Sequence, residues 1–236
     1  MPAEAPPRDP KSLRDPVALA ARKAGLDGTH IAPIRALARR IAEARGAEVP
    51  DPDPLDGGVG ARLLLLLETP GPSIRGTGFV SRDNPTGTAA NLFRFLAESG
   101  IPRRDTLIWN TIPWVIHAPG ALNRPPRRSE ILAAIPDLAP LLACLPHLRV
   151  VVLAGRVAGM LAPTLATLRP DLPVIPVPHP SPTYVCTAPS VATRIRAGLA
   201  RAAACIGGGH CASIAGNCPP MPLNAGNGPR SGTSSG

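Results

Sequence analysis

At 236 residues, 44% of them hydrophobic but only 3% aromatic, the chain has the material for one core, filled by aliphatic side chains and alanine. No apolar run approaches the ~20 residues needed to span a bilayer, and the Pro-, Glu- and Asp-bearing start lacks an apolar secretory segment, which predicts a cytoplasmic protein. The formal net charge of +9, carried almost wholly by arginine, suits a polyanionic partner, yet an Ala/Arg/Pro-rich texture accounts for it equally well, so charge alone excludes little.

Residues 1–15, rich in Pro and charge, read as disordered. Val17 to Arg45 has helical periodicity broken near Gly25–Gly28; Ile31, Ile34, Leu37, Ala38 and Ile41 share a face, while Arg35, Arg39, Arg40 and Arg45 lie on solvated faces. The Pro/Asp/Gly stretch from Pro50 to Gly60 reads as a linker. Arg62 to Glu68 then holds an unbroken apolar run, the mark of a buried parallel strand. Thr88 to Ser99 reads as a helix stopped by Gly100, Asp105 to Asn110 as a second strand, and Ser129 to Leu145 as a helix capped by Ser129. Arg149 to Ala154 is a third strand, Val157 to Leu168 a helix, and Leu172 to Val177 a fourth strand whose prolines favour an edge. Pro189 to Ala204 is the closing helix, and residues 206–236 read as a disordered tail.

Strands alternating with helices predict a three-layer α/β/α fold around a central four-stranded parallel sheet, with extra N-terminal helices. The domain is expected over residues 16–205, with its core at 62–204. Cys205, Cys211 and Cys218 lack the paired short spacings of a zinc site, so neither metal nor cofactor is expected.

In such sheets sites form beyond the carboxyl ends of the strands. Three polar, Pro-bearing turns stand there: Glu68-Thr69-Pro70-Gly71, Asn110 to Trp114, and His179-Pro180-Ser181-Pro182. Asn110 ends an apolar strand; its amide either caps a turn or pairs with a pyrimidine edge, accepting from N3–H and donating to O4. His179 either bonds to loop backbone or donates to an oxygen gaining negative charge. Phe79 is either a core residue or a stacking floor for a base.

The order of these features over residues 62–204 resembles the uracil-DNA glycosylase superfamily, as an uncharacterised bacterial branch. The His179–Pro182 match is the specific one; Glu68–Gly71, Phe79, Asn110 and the stretch Phe79–Pro85 add to it by order. The resemblance implies an uncofactored, monomeric enzyme that binds uracil-containing DNA, single- or double-stranded, and flips deoxyuridine out of the stack. Phe79 would stack on uracil, Asn110 read its polar edge, backbone N–H groups around Glu68 and Thr69 meet O2, and His179 stabilise the departing anion. Ser181, with Pro180 and Pro182, would press the phosphate backbone, Arg82 would contact DNA, and Tyr184 or Val185 would fill the vacated duplex.

Three departures qualify the resemblance. Thr69 stands where the superfamily has Asp or Asn to position water, so Asp83, narrowly ahead of Glu68, is the candidate replacement, with Asn84 as an orienting amide. Gly71 replaces a Tyr that excludes the thymine methyl. No cysteine precedes Cys144, which argues against the iron–sulfur cluster of some branches. The preferred reading is a monofunctional uracil-DNA glycosylase. A non-catalytic DNA- or abasic-site-binding protein, and a glycosylase for hypoxanthine or mismatched thymine, are the alternatives.

Overall fold

The computed structural model describes residues 9–208, apart from residues 73, 119 and 122. In chain order the elements are α1 (Pro16–Ala24), α2 (Ala32–Arg45), β1 (Asp51–Pro52), β2 (Leu63–Leu67), α3 (Ile74–Thr77), β3 (Phe79–Val80), α4 (Gly87–Glu98) and β4 (Thr106–Asn110). There follow α5 (Arg128–Ala134), α6 (Leu138–Ala143), β5 (Val150–Ala154), α7 (Arg156–Gly159), α8 (Ala162–Leu168), β6 (Val174–Val177), α9 (Pro182–Val185) and α10 (Pro189–Ile206).

The central sheet has strand order β4-β2-β5-β6 with every neighbouring pair parallel, a three-layer α/β/α arrangement as expected. Its middle strand β2 is five consecutive leucines, buried on both faces, which is why the sequence shows a continuous run instead of alternation. Leu64 and Leu66 face a core cluster shared with α2, α6 and α8; Leu63 and Leu65 face the cluster shared with α4 and α10. At about 2–5 kcal/mol for each Leu→Ala change at such sites, the strand anchors both layers. β6, with Pro176 exposed, lies at an edge, where a missing N–H costs no ladder bond.

Several elements differ from the sequence reading. The helix expected from Ser129 to Leu145 is two, α5 and α6, separated at Ile135–Asp137, where Pro136 removes a helical donor. Ser129 lies inside α5; Arg127 is its N-cap, and its backbone N–H donates to the Glu130 carboxylate at 2.6 Å. The helix expected from Val157 to Leu168 is likewise two, α7 and α8.

The stretch from Pro50 to Gly60 is packed structure, no mere linker. β1 pairs in parallel with β3, joining Asp51 to Phe79, and Asp53 and Asp56 are buried. Packed chain also begins ahead of residue 16: Leu13 is buried, and its N–H donates to the carbonyl of Asp83 at 3.1 Å. The N-terminal residues 1–8 and the tail beyond residue 208, with Cys211 and Cys218, lie outside the described residues.

Candidate active site

Parallel strands end together, so the last residues of all four central strands share one rim. Register puts Asn110 beside Leu67, and Ala154 beside Val177. Neighbouring strands lie about 4.8 Å apart, so the ends of β4 and β6 stand about 14 Å from each other, and the His179 ring, packed against Gly155, lies over the end of β5 between them. The rim offers Asn110 from β4, Glu68 and Thr69 from β2, and His179 from the loop after β6.

Asn110 is 4% exposed and its amide makes no hydrogen bond among the described residues, yet its polar atoms are not among the fully enclosed ones, so its donor and acceptor capacity is unused and reachable. Beside it Thr111 ties β4 to β2, its N–H and hydroxyl both donating to the Leu67 carbonyl at 2.8 Å. Ile112 N–H donates to the Glu68 carbonyl at 3.1 Å, fixing the turn.

His179 is half-buried, and burial lowers its pKa, favouring the neutral imidazole near neutral pH. The Ser181 backbone N–H donates to its Nδ1 at 3.2 Å. Nδ1 therefore carries the lone pair, and in the neutral ring the proton resides on Nε2, the atom that can donate to a substrate oxygen. The loop is seated from two sides. Asn91 of α4 donates through Nδ2 to the Pro180 carbonyl at 2.9 Å, and a Cβ on Gly87 would collide with the Pro182 ring. On the sheet side Gly155 has φ +98°, its N–H donates to the Val177 carbonyl, and a Cβ there would meet His179 Cβ at 3.0 Å and Cδ2 at 3.1 Å. Ser181 caps α9, and Tyr184, 58% exposed, lies with its ring centroid 6.3 Å from that of His179. Val185 instead packs against the core.

Glu68 is half-buried; burial raises its pKa, and the charge of Arg156 partly opposes the rise. The Thr69 hydroxyl oxygen is buried with no partner among the described residues. Pro70 is buried, and beside Gly71 a Cβ would meet nothing within 4 Å.

The stretch Arg82-Asp83-Asn84 corrects the sequence reading, for its polar groups are engaged with one another inside the protein. Asp83 is fully buried; its Oδ2 accepts from Arg22 at 2.9 Å and from Arg103 at 2.7 Å, and its Oδ1, though without a partner among the described residues, is enclosed as well, so the carboxylate has no access to an attacking water. Arg82, 5% exposed, donates to the Thr106 hydroxyl and lies 3.6 Å from Asp56, so its guanidinium does not face DNA. Asn84 clips a turn: its amide donates to the Phe79 carbonyl at 2.8 Å, and its oxygen accepts from the Thr77 hydroxyl at 2.9 Å. Arg22, Arg103 and Ser81 converge on Asp53 to complete the cluster, which ties α1 to the body of the protein. Phe79, 1% exposed, belongs to neither large apolar cluster and sits in the β1–β3 pair that packs beside β4.

The sequence model of the Uracil DNA glycosylase superfamily matches residues 56–194, more than half of the 236-residue chain. The chain belongs to that superfamily. Its fold is the one expected of the match, and membership gives it a glycosylase-type role in DNA repair, as a hydrolase acting on DNA. A comparison with curated proteins finds no match. Among the described residues no helix is long and apolar enough to cross a membrane. Sequence reasoning missed Gly87, Asn91, Gly155 and Arg156, although a glycine directly after an apolar strand, as at Gly155, is a signal that a backbone approaches closely there.

Proposed function

We propose that this superfamily member hydrolyses the N-glycosidic bond of deoxyuridine in DNA, releasing uracil and leaving an abasic site without cutting the strand. One observation carries the reading. A buried, unpartnered Asn110 amide shares a strand-end rim with a neutral His179 whose Nε2–H is free to donate.

Each group has a task in that reaction. The flipped uracil enters with its N3–H and O4 edge toward Asn110, which accepts from the first and donates to the second. As the C1′–N1 bond breaks, its electron pair leaves with N1 and the ring becomes anionic. His179 Nε2–H donates to the oxygen that gains this charge, and a neutral donor held ready beforehand stabilises the anion without reorganisation. Water adds its oxygen to the cationic C1′ and gives its proton to Glu68, while the Thr69 hydroxyl steadies the water. Phe79 lines the wall beside β4, Ser181 and the flanking Pro180 and Pro182 meet the phosphates, and exposed Tyr184 fills the vacated stack in preference to Val185. No lysine occupies a motif position, which supports hydrolysis over strand-cleaving chemistry.

One observation favours a second reading, excision of hypoxanthine or mismatched thymine: the space beside Gly71 is open. Oligonucleotides carrying uracil, hypoxanthine or a thymine mismatch, incubated with the protein and then treated with alkali, separate the two. Breakage at uracil alone is expected; breakage mainly at either other base would favour the second reading, and binding without breakage at any base would overturn both. In the same assay Asn110→Asp, which inverts the donor pattern, should move preference from uracil toward cytosine.

A further inference from the structure

The scheme above leaves the connection from β4 to α5 without a task. The chain leaves the sheet at Asn110, and because β4 and β5 both run parallel to β2, α5 and α6 must carry it back from the rim to the opposite end. Arg127, the N-cap of α5, and Arg128, its first residue, therefore stand at the rim end. Contacts agree with this placement. Ala134, which closes α5, lines one cavity with Asn110, Thr111 and Pro113. Val115 N–H donates to the Glu48 carbonyl at 2.8 Å, and Arg124 donates to the Ile116 carbonyl at 2.8 Å, so the connection is fastened at both ends. Pro125 and Pro126 stiffen the chain just ahead of the arginine pair.

Both arginines are exposed, and neither guanidinium is paired with a carboxylate among the described residues. The carboxylate beside them is already taken: Glu130 accepts from Arg124 through both oxygens, at 2.9 and 2.5 Å, and from the Arg127 backbone N–H at 2.6 Å. No Asp or Glu lies between Asp105 and Glu130, between Asp137 and Asp171, or after Asp171, so the turns that follow β4, β5 and β6 carry no acidic residue. At the other end of the sheet arginines are tied down. Arg62 lies 3.9 Å from Asp105, Arg149 donates to the Ile206 carbonyl at 3.2 Å, and Arg169 pairs with Asp171 at 2.7 Å. The molecule is polarised, with an unneutralised positive edge beside the strand that ends in Asn110.

We propose that Arg127 and Arg128 form a phosphate-binding edge that holds the DNA backbone on the Asn110 side of the extruded base, across the sheet from the Ser181 turn. The inference deepens the reading given above and rests on DNA as the substrate, whichever base is excised. Guanidinium groups match phosphate oxygens with paired hydrogen bonds, and each phosphate they neutralise releases condensed counterions. β4 and β6 are the two edge strands, so the arginine pair and the Ser181 turn lie on opposite sides of the site. Their separation of about 14 Å is several times the rise of about 3.4 Å per nucleotide, so they hold different phosphates. Because the arginines meet backbone and not the reacting atoms, they secure the DNA without altering bond cleavage.

The test compares two double variants of equal charge in the full-length protein: Arg127→Gln with Arg128→Gln at the rim, and Arg104→Gln with Arg201→Gln, both exposed and toward the opposite end. Binding to an undamaged DNA duplex is followed by fluorescence anisotropy from about 0.05 M to about 0.2 M salt. Loss of two phosphate contacts should lower the slope of log Kd against log salt by about 1.8, so the rim pair's penalty at the lower salt exceeds that at the higher by about ten-fold. Lysine at both rim positions should restore most of the slope, and the opposite-end pair should stay close to the wild type. On a uracil-containing duplex KM should rise in the rim pair while kcat holds. Equal losses of slope in the two pairs, no loss in the rim pair, or a fall in kcat at unchanged KM overturns the proposal. Wild-type excision of another base in place of uracil overturns the uracil reading alone and leaves the phosphate edge standing.

Discussion

Two polar regions of this molecule behave in opposite ways. Around Arg82 and Asp83, three arginines and three aspartates from distant segments close on one another, and the nearest carboxylate a reader would nominate as a base is sealed between Arg22 and Arg103. At the strand-end rim, Asn110, the Thr69 hydroxyl and Nε2 of His179 are left without protein partners among the described residues. Both regions contain buried polar atoms. The difference is access: in the first, even Asp83 Oδ1 and the Asp56 oxygens, which accept no hydrogen bond among the described residues, are sealed among buried charges, while at the second Asn110 and the half-buried His179 keep unused hydrogen-bonding capacity at the strand ends. For locating chemistry, unused hydrogen-bonding capacity at an accessible strand-end turn is more informative than charge or burial taken alone.

Substitutions that affect one region and spare the other break or sharpen that contrast. The largest effect is expected from Asp83→Asn, which leaves two buried guanidinium groups short of a counter-charge and should cost about 3–5 kcal/mol of unfolding free energy. The fraction that remains folded should excise at the wild-type rate, as a denaturant titration paired with an active-site-normalised assay would reveal. Normal stability with lost excision would instead return Asp83 to the site. His179→Ala should do the reverse, lowering excision by about 10²–10³-fold, the usual cost of one oxyanion donor, while stability changes by about 1 kcal/mol.

Gly155→Ala is the next largest. The new methyl would press on His179 from a backbone at φ +98°, and a displacement of about 1 Å in a reacting group can lower the rate by about 10²-fold. Its signature is a fall in kcat with KM little changed; equal effects on binding would place His179 away from the chemistry. The smallest effect concerns pH. Burial raises the Asp56 pKa from 3.8 to about 6, against the attraction of Arg103 and Arg82. The folded state thus binds this proton more tightly than the unfolded chain, and stability from the group is present below the lower value and lost as pH rises to about 6. The stability margin of the wild type over Asp56→Asn should accordingly shrink between pH 4 and pH 7 and stay level above; a margin that widens would reverse the sign assigned to Asp56.

The four central strands were legible because each is a compact apolar run, and the turns at their ends followed from the rule for parallel sheets. What escaped the sequence was long-range. Arg22, Asp53, Asp56, Asp83 and Arg103 are scattered over some eighty positions, and charges that meet only in three dimensions carry no local pattern; Asp53 and Asp56 look like linker residues among prolines and glycines. β1 and β3 are two residues each, too short for any alternation to register. At the rim, Asn110 and His179 were visible as polar residues ending apolar strands. Between the two carboxylates the sequence put Asp83 narrowly ahead of Glu68, because burial and pairing, not residue type, decide which one stays open to water.

The most direct measurement is a crystal structure of the protein with uracil bound. The Asn110 amide should lie about 2.9 Å from both N3 and O4 of the base, with His179 Nε2 facing a carbonyl oxygen of the same ring. A base held by only one of these two residues, or seated away from the ends of β2 and β4, would contradict a single site shared by both.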